Sequence, residues 1–171
     1  MNLHQTLFRA GCALGLALLV AGCETVEVTK SSDAKAPVRK VDFARAPELK
    51  ELAEHARQFG NEMFPKVCAL FADPEAKPPP RFDVIFKPLK SQHAGEAYFE
   101  TRTIYLNTAY LTNAPVDRDF FDKVFVHEMA HLALQHRAWR WSRSHFGWEE
   151  GLADYAYFKL IGTNGVACPQ C

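Results

Sequence analysis

The sequence predicts an α+β domain in which a small mixed or antiparallel sheet packs against helices. Three observations support this class. Residues 47–72 carry apolar side chains at three- and four-residue steps, the spacing of a helix with one buried side. Residues 82–87 and 97–106 are short runs rich in β-branched and aromatic residues. Residues 117–136 are apolar over most of a helical circumference, which is typical of a buried central helix.

The first 22 residues have the layout of an export signal. Arg9 gives a positive start, the apolar segment 10–20 is too short to span a bilayer comfortably, and small residues precede Cys23. This ending resembles the lipobox of bacterial lipoproteins. The resemblance implies a signal peptide at 1–22 and a lipid anchor on Cys23, which would hold the protein on a membrane of the cell envelope. An ordinary signal peptide with an incidental cysteine is the alternative.

A polar segment separates this signal from the domain. It mixes both signs of charge and shows no sustained periodicity. We therefore interpret 23–46 as the lipidated N-terminus and a flexible tether, and 47–171 as one domain. Within the first helix of that domain, Gly60 or Pro65 is expected to bend or divide the element.

The strand runs occupy the middle of the domain. Phe82–Lys87 is predicted to be one strand, ended by Pro88, and residues 97–106 are predicted to be a strand pair that turns near Thr101. The central helix follows, with Asp117 as its expected N-cap.

That helix contains the stretch H-E-M-A-H at residues 127–131. Positions four apart lie on one helical face, so the imidazoles of His127 and His131 can aim at one metal ion. Glu128 lies beside them and can act as general base toward the water that such a metal activates. A chance match on a core helix with two exposed histidines is the alternative.

A second helix, predicted for residues 148–161, carries Glu150 and Asp154 one turn apart. Glu150 follows His131 by nineteen positions, which is enough chain to leave one helix and return on another. Two histidines and a glutamate form a standard ligand set for catalytic zinc. Asp154 can accept the free ring N–H of a ligating histidine and fix its tautomer. Alternatively, both carboxylates belong to a solvated helix face.

Together, H-E-M-A-H and the stretch G-W-E-E-G-L-A-D-Y at residues 147–155 resemble the gluzincin metallopeptidases. They look most like the basic secretory protein family of peptidases, over about residues 94–171. The resemblance implies a zincin-like fold with one Zn²⁺ per chain. It assigns His127, His131 and Glu150 as metal ligands. It also assigns Glu128 as the general base and Asp154 as the acid that orients a ligand.

Two further expectations come from this resemblance alone. In zinc peptidases of this plan, an edge strand beside the active-site helix holds an extended substrate, and residues 98–106 are the candidate for it here. Alternatively, these strands only cover the helix.

Members of the basic secretory protein family extend past the position of Cys171, so the resemblance implies a domain that is short at its C-terminal end.

Cysteine use and charge limit the remaining possibilities. In an exported protein, Cys68, Cys168 and Cys171 can form one disulfide and leave one free thiol, and the residues leave the pairing open. The 20 basic and 20 acidic residues give a formal net charge of zero, and we expect no nucleic-acid partner, which would usually show a basic patch.

The sequence thus predicts an exported, lipid-anchored zinc metallohydrolase, most simply a peptidase acting on a peptide or protein substrate. The alternative is a catalytically silent envelope lipoprotein that retains a structural zinc site and acts as a binding module. Glu128 argues against that alternative, because a purely structural zinc needs no base.

Overall fold

The computed structural model describes residues 29–30, 34–71, 81–111, 117–135 and 146–162. The predicted signal at 1–22, the lipidation site Cys23 and the tail cysteines Cys168 and Cys171 lie outside these ranges, so the predictions made for them stay predictions. Among the helices within these ranges, none has the length and apolarity needed to cross a membrane.

Within the described ranges, five strands form one mixed sheet: β1 (Thr29–Lys30), β2 (Val38–Asp42), β3 (Phe82–Lys87), β4 (Gly95–Tyr98) and β5 (Thr103–Asn107). Their order across the sheet is β1-β2-β3-β5-β4. The central strand β3 pairs in parallel with β2 and β5, whereas β1 and β4 run antiparallel to their neighbours. The predicted mixed sheet is therefore confirmed, together with the strand at 82–87 and the strand pair that follows it.

Strand β2 contradicts the flexible tether predicted for 23–46. The side chains of Val38 and Val41 are fully buried, so the sheet begins before residue 47. A register irregularity between Val38 and Lys40 places the two buried residues three positions apart. The strand therefore lacks the strict alternation by which a strand is recognised in a sequence.

The described part of the chain also contains four helices: α1 (Lys50–Leu70), α2 (Thr108–Leu111), α3 (Arg118–Gln135) and α4 (Phe146–Leu160). A short 3-10 turn, Pro47–Leu49, leads into α1. The predicted helices at 47–72, 117–136 and 148–161 are therefore confirmed, with small shifts at their ends.

Helix α1 runs unbroken through Gly60 and Pro65, so of the predicted bend or division the division is wrong. Pro65 lacks one backbone N–H donor, a local loss within a helix of 21 residues whose apolar side is buried. Gly60 is required by packing. A Cβ at this position would lie 2.7 Å from Val38 Cγ2 and 3.2 Å from the ring of Phe125, so α1 approaches β2 and α3 very closely here.

Cys68 lies near the end of α1 and has no disulfide partner among the described residues. Burial raises the pKa of this thiol to about 12, which keeps it protonated and unreactive at neutral pH. Its pairing with Cys168 or Cys171 stays a prediction.

Helices α1 and α3 pack against each other and against the sheet, and α4 packs on α3. Aromatic rings fill the interface between helices and sheet, with centroids 4.7 to 6.4 Å apart: Phe64, Phe82, Phe125, Phe121 and Phe86. Beside them, His55 Nε2 of α1 lies 2.6 Å from Asp122 Oδ1 of α3. The core therefore fixes α3 from two sides.

We expect Phe125→Ala to lower the free energy of unfolding by about 3–5 kcal/mol, because it leaves a cavity where α1, α3 and β3 meet. Ile161→Ala is the control, since this side chain is 40% exposed and its loss should change the free energy by no more than about 0.5 kcal/mol. Urea titration followed by circular dichroism measures both variants. Equal losses in the two would contradict the described core.

Candidate metal centre

Helix α3 positions the two histidines. Asp117 caps the helix as predicted, because its Oδ1 accepts the backbone N–H of Asp119 at 3.0 Å. Beyond this cap, buried residues on most sides of α3 fix its rotation: Phe121, Phe125, Val126, Met129, Ala130, Leu132 and Ala133. His127 and His131 lie one turn apart where α3 faces α4, and their side chains are 21% and 12% exposed.

Helix α4 brings carboxylates to these histidines. It packs on α3, with Ala153 and Ala156 fully buried, and such small side chains allow a close approach between helices. Glu150 and Asp154, one turn apart, both reach the histidines of α3. Gly162 follows the helix with a φ of +82°, the left-handed conformation that often ends helices.

Three side-chain groups converge between the helices. Glu150 Oε2 lies 3.1 Å from His127 Nε2, Glu150 Oε1 lies 3.4 Å from His131 Nε2, and the two Nε2 atoms are 3.1 Å apart. Ligand atoms held about 2.0–2.1 Å from a tetrahedral ion lie about 3.3 Å from one another. The observed separations therefore fit one metal ion bound by these three residues, the set that the sequence predicted.

Asp154 determines which nitrogen of His127 faces the other ligands. Its Oδ1 lies 3.0 Å from His127 Nδ1, and a carboxylate only accepts, so Nδ1 donates. In the neutral ring, Nε2 then presents its lone pair toward Glu150. Two acceptors 3.1 Å apart repel each other, and a cation between them removes that repulsion. Burial lowers the pKa of His131, which favours the neutral ring that can bind a metal.

Glu128 lies beside this centre and is only 7% exposed. Burial, followed by the negative charges of Glu150 and Glu96, raises the pKa of Glu128 to about 8, and a hydrogen bond from the backbone N–H of Ala97 opposes this rise. A carboxyl group whose pKa lies close to neutrality is suited to accepting and releasing a proton.

An open pocket of about 650 Å³ leads to the centre. One wall is formed by residues 93–98, which include β4. Phe120, Lys123 and Val124 of α3 form another wall, and Glu128 and the three candidate ligands also line the pocket. A substrate can therefore reach the candidate ligands and Glu128 at the same time.

The edge strand that lies beside α3 is β4, which corrects the prediction of residues 98–106 as the substrate-binding edge strand. Most of that segment is the turn and β5, and β5 lies inside the sheet between β3 and β4. The backbone N–H of Asn107 donates to Ala94 O at 2.9 Å. Because bonded positions alternate along an antiparallel pair, the backbone groups of Gly95 and Ala97 point away from β5.

Sequence reasoning missed Gly95 and Ala97 as parts of the site. The available signal was the glycine itself, since a glycine within a strand often marks a close approach of another group. Glu128 is the group that approaches here.

The fold and the centre define a zincin-like, metalloprotease-type domain, and the predicted zincin-like α+β fold is confirmed. A family model described as the SprT-like family matches residues 52–149, which are 98 of the 171 residues. The chain therefore belongs to the SprT-like family. The match includes H-E-M-A-H and ends one residue before Glu150, so the assignment of this third ligand depends on the geometry.

Neither the curated proteins nor the solved structures gave a match to this chain. The resemblance to gluzincins is supported at the level of a zincin-like family. The narrower resemblance to the basic secretory protein family stays a prediction.

We expect the purified protein to bind one divalent metal ion per chain. Glu150→Ala should lose most of this metal because it removes a ligand, and Asp154→Asn should weaken affinity by about 10- to 100-fold because it disturbs the orientation of His127. Elemental mass spectrometry after dialysis and competition with a chromogenic chelator measure the two effects. Glu62→Gln, on the exposed side of α1, is the control carboxylate. Full metal content in Glu150→Ala would contradict this ligand set.

Proposed function

We propose that this protein is a zinc-dependent peptidase that cleaves peptide bonds with Glu128 as general base. The observation that supports this proposal is the convergence of His127, His131 and Glu150 beside that buried glutamate, at the floor of an open pocket. Two imidazoles and one carboxylate suit Zn²⁺, and three protein ligands leave a position for water, as in catalytic zinc sites. Zinc held there would polarise a scissile carbonyl and make the attacking water more acidic.

Glu128 provides the proton transfers in this proposal. Its carboxylate accepts a proton from the attacking water and then passes it to the nitrogen of the departing amine. Its burial keeps bulk water from competing for the same hydrogen bonds. Asp154 keeps the Nδ1 proton on His127, so that Nε2 remains available as a ligand.

An extended peptide is the substrate that best fits the shape of the site. Strand β4 is an edge of the sheet, and the backbone groups of Gly95 and the carbonyl of Ala97 point away from β5 toward the place of an added partner strand, whereas the Ala97 N–H is bonded to Glu128. A peptide that adds a strand along this edge would pass directly over Glu128, which touches the same strand. Phe120 and Val124 of α3 offer apolar contacts to a side chain of that peptide.

We expect the metal-loaded protein to hydrolyse an unfolded protein such as fluorescein-labelled casein, and Glu128→Gln to reduce the rate by at least about 100-fold because the base is lost. Release of labelled peptides measures the rate. Removal of the metal with 1,10-phenanthroline should stop the reaction, and added Zn²⁺ should restore it.

Metal analysis of Glu128→Gln is the control, because this variant should keep all three ligands and a full complement of metal. Undiminished hydrolysis by Glu128→Gln would contradict the role given to Glu128. A metal-loaded wild-type protein that cleaves neither casein nor a library of quenched fluorescent peptides would instead favour a silent domain with a structural metal.

We further propose that the chain is exported and held on a membrane of the cell envelope by lipid on Cys23. The support is the sequence alone: a positive start, an apolar segment, and small residues just before Cys23. The predicted anchor would keep the peptidase at a membrane surface without a spanning helix.

We expect the full-length protein, produced in a bacterial host, to incorporate radiolabelled palmitate and to partition into the membrane fraction. Cys23→Ser should abolish both, because the acylated thiol is lost. Cys12→Ser is the matched control, since this cysteine lies within the apolar segment and should not be acylated. Equal labelling of the two variants would show that Cys23 is not the lipidated residue.

A further inference from the structure

Strand β4 and Glu128 approach each other unusually closely. A Cβ at Gly95 would lie 2.8 Å from Glu128 Cγ, 2.9 Å from Oε1 and 3.1 Å from the carboxyl carbon. Gly95 has no positive φ, so its backbone conformation is open to any residue. What excludes a larger residue at position 95 is therefore the side chain of Glu128.

The same strand also holds the carboxylate by a hydrogen bond. The backbone N–H of Ala97 donates to Glu128, and the register of β4 directs this N–H away from β5. Gly95 and Ala97 lie two residues apart, on the same side of the strand. The backbone at Gly95 therefore limits the position of the Glu128 carboxylate, and the N–H of Ala97 holds it by a hydrogen bond.

Strand β4 is itself anchored, so it cannot easily retreat from Glu128. The buried side chain of Asn107 donates to His93 O at 2.9 Å and accepts the backbone N–H of Leu89 at 3.2 Å. Its backbone N–H donates to Ala94 O. These bonds fix the residues just before Gly95 to the end of β5.

We propose that Gly95 is a positioning residue, whose missing side chain lets the edge strand set the place of the Glu128 carboxylate through the Ala97 amide. This inference rests on the proposed peptidase function. Gly95 contacts the general base through its backbone surface and takes no part in the chemistry. Its contribution is to keep the carboxylate between the metal ligands and the strand that a substrate would join.

An alanine at position 95 should displace the carboxylate, because the end of a flexible side chain yields more easily than an anchored strand. A displacement of about 1 Å at a reacting group can cost on the order of 100-fold in rate. We therefore expect Gly95→Ala to reduce kcat by about 10- to 100-fold. KM should change by less than about threefold, since the outward backbone groups of β4 remain, and the metal content should remain full, since no ligand is touched.

Two further glycines provide matched controls for the added methyl group. A Cβ at Gly151 would meet no atom within 4 Å, so Gly151→Ala should leave kcat and KM close to the wild-type values and should raise Tm slightly, because alanine favours a helix interior over glycine. Gly60 is closely packed against Val38 and Phe125 and is not among the residues that line the pocket, so Gly60→Ala should lower Tm but leave kcat within about twofold at temperatures where the variant is folded. The kcat loss at constant KM is thus expected for Gly95→Ala alone.

A thermodynamic cycle tests the contact without using activity. Glu128→Ala removes the three atoms that would lie nearest to a Cβ at Gly95. Gly95→Ala should therefore lower Tm in the wild-type background, and should be neutral or raise Tm in the Glu128→Ala background, because a compatible alanine restricts the unfolded chain.

The outcomes separate this inference from the proposed function. Equal Tm shifts in the two backgrounds, or a Gly95→Ala variant with wild-type kcat, would overturn the positioning role. A wild-type protein without hydrolytic activity would remove the proposed function, while the cycle would still decide whether Gly95 sets the place of the Glu128 side chain.

Discussion

The packing of α4 on α3 is the contact on which the candidate centre depends. Metal ligands must meet within a few tenths of an ångström, and here they come from two different helices, α3 and α4. Ala153 and Ala156 are fully buried in the helix that supplies Glu150 and Asp154. A larger side chain at either position would push the helices apart and separate Glu150 from the histidines. The sheet and α1 hold α3 on its other sides, so α3 offers α4 a fixed surface to pack on.

The electrostatics of the centre explain why such a rigid support is needed. In the tautomers that bind a metal, Glu150 and the Nε2 atoms of two histidines face one another with lone pairs, and the nearby Glu128 is buried. This arrangement is unfavourable for the protein alone, because acceptors repel and buried charges lose their hydration. The packed core must offset that cost until a cation binds. Metal binding in this site should consequently be coupled to the stability of the fold, with Asp154 holding His127 in the binding tautomer.

Where the sequence-based expectations were wrong, the cause was a contact between distant parts of the chain. Strand β2 lacks a strict alternation of buried residues because its pairing with β3 shifts register between Val38 and Lys40, which the sequence pattern does not show. Pro65 did not divide α1, because the buried side of the whole helix outweighs one missing hydrogen bond. The identity of the edge strand follows from the order of strands in the sheet, which a list of strands does not contain. Gly95 belongs to the site only because Glu128 lies against it.

The sequence by itself determined the parts of the site that depend on helical periodicity. His127 and His131, and likewise Glu150 and Asp154, lie one turn apart on any helix, because the rise and twist of a helix are local properties. Tertiary structure alone decided that the two helices bring these pairs within 3.0 to 3.4 Å of each other, and that β4 touches Glu128. Those distances arise from packing between segments far apart in the chain, which local patterns do not encode.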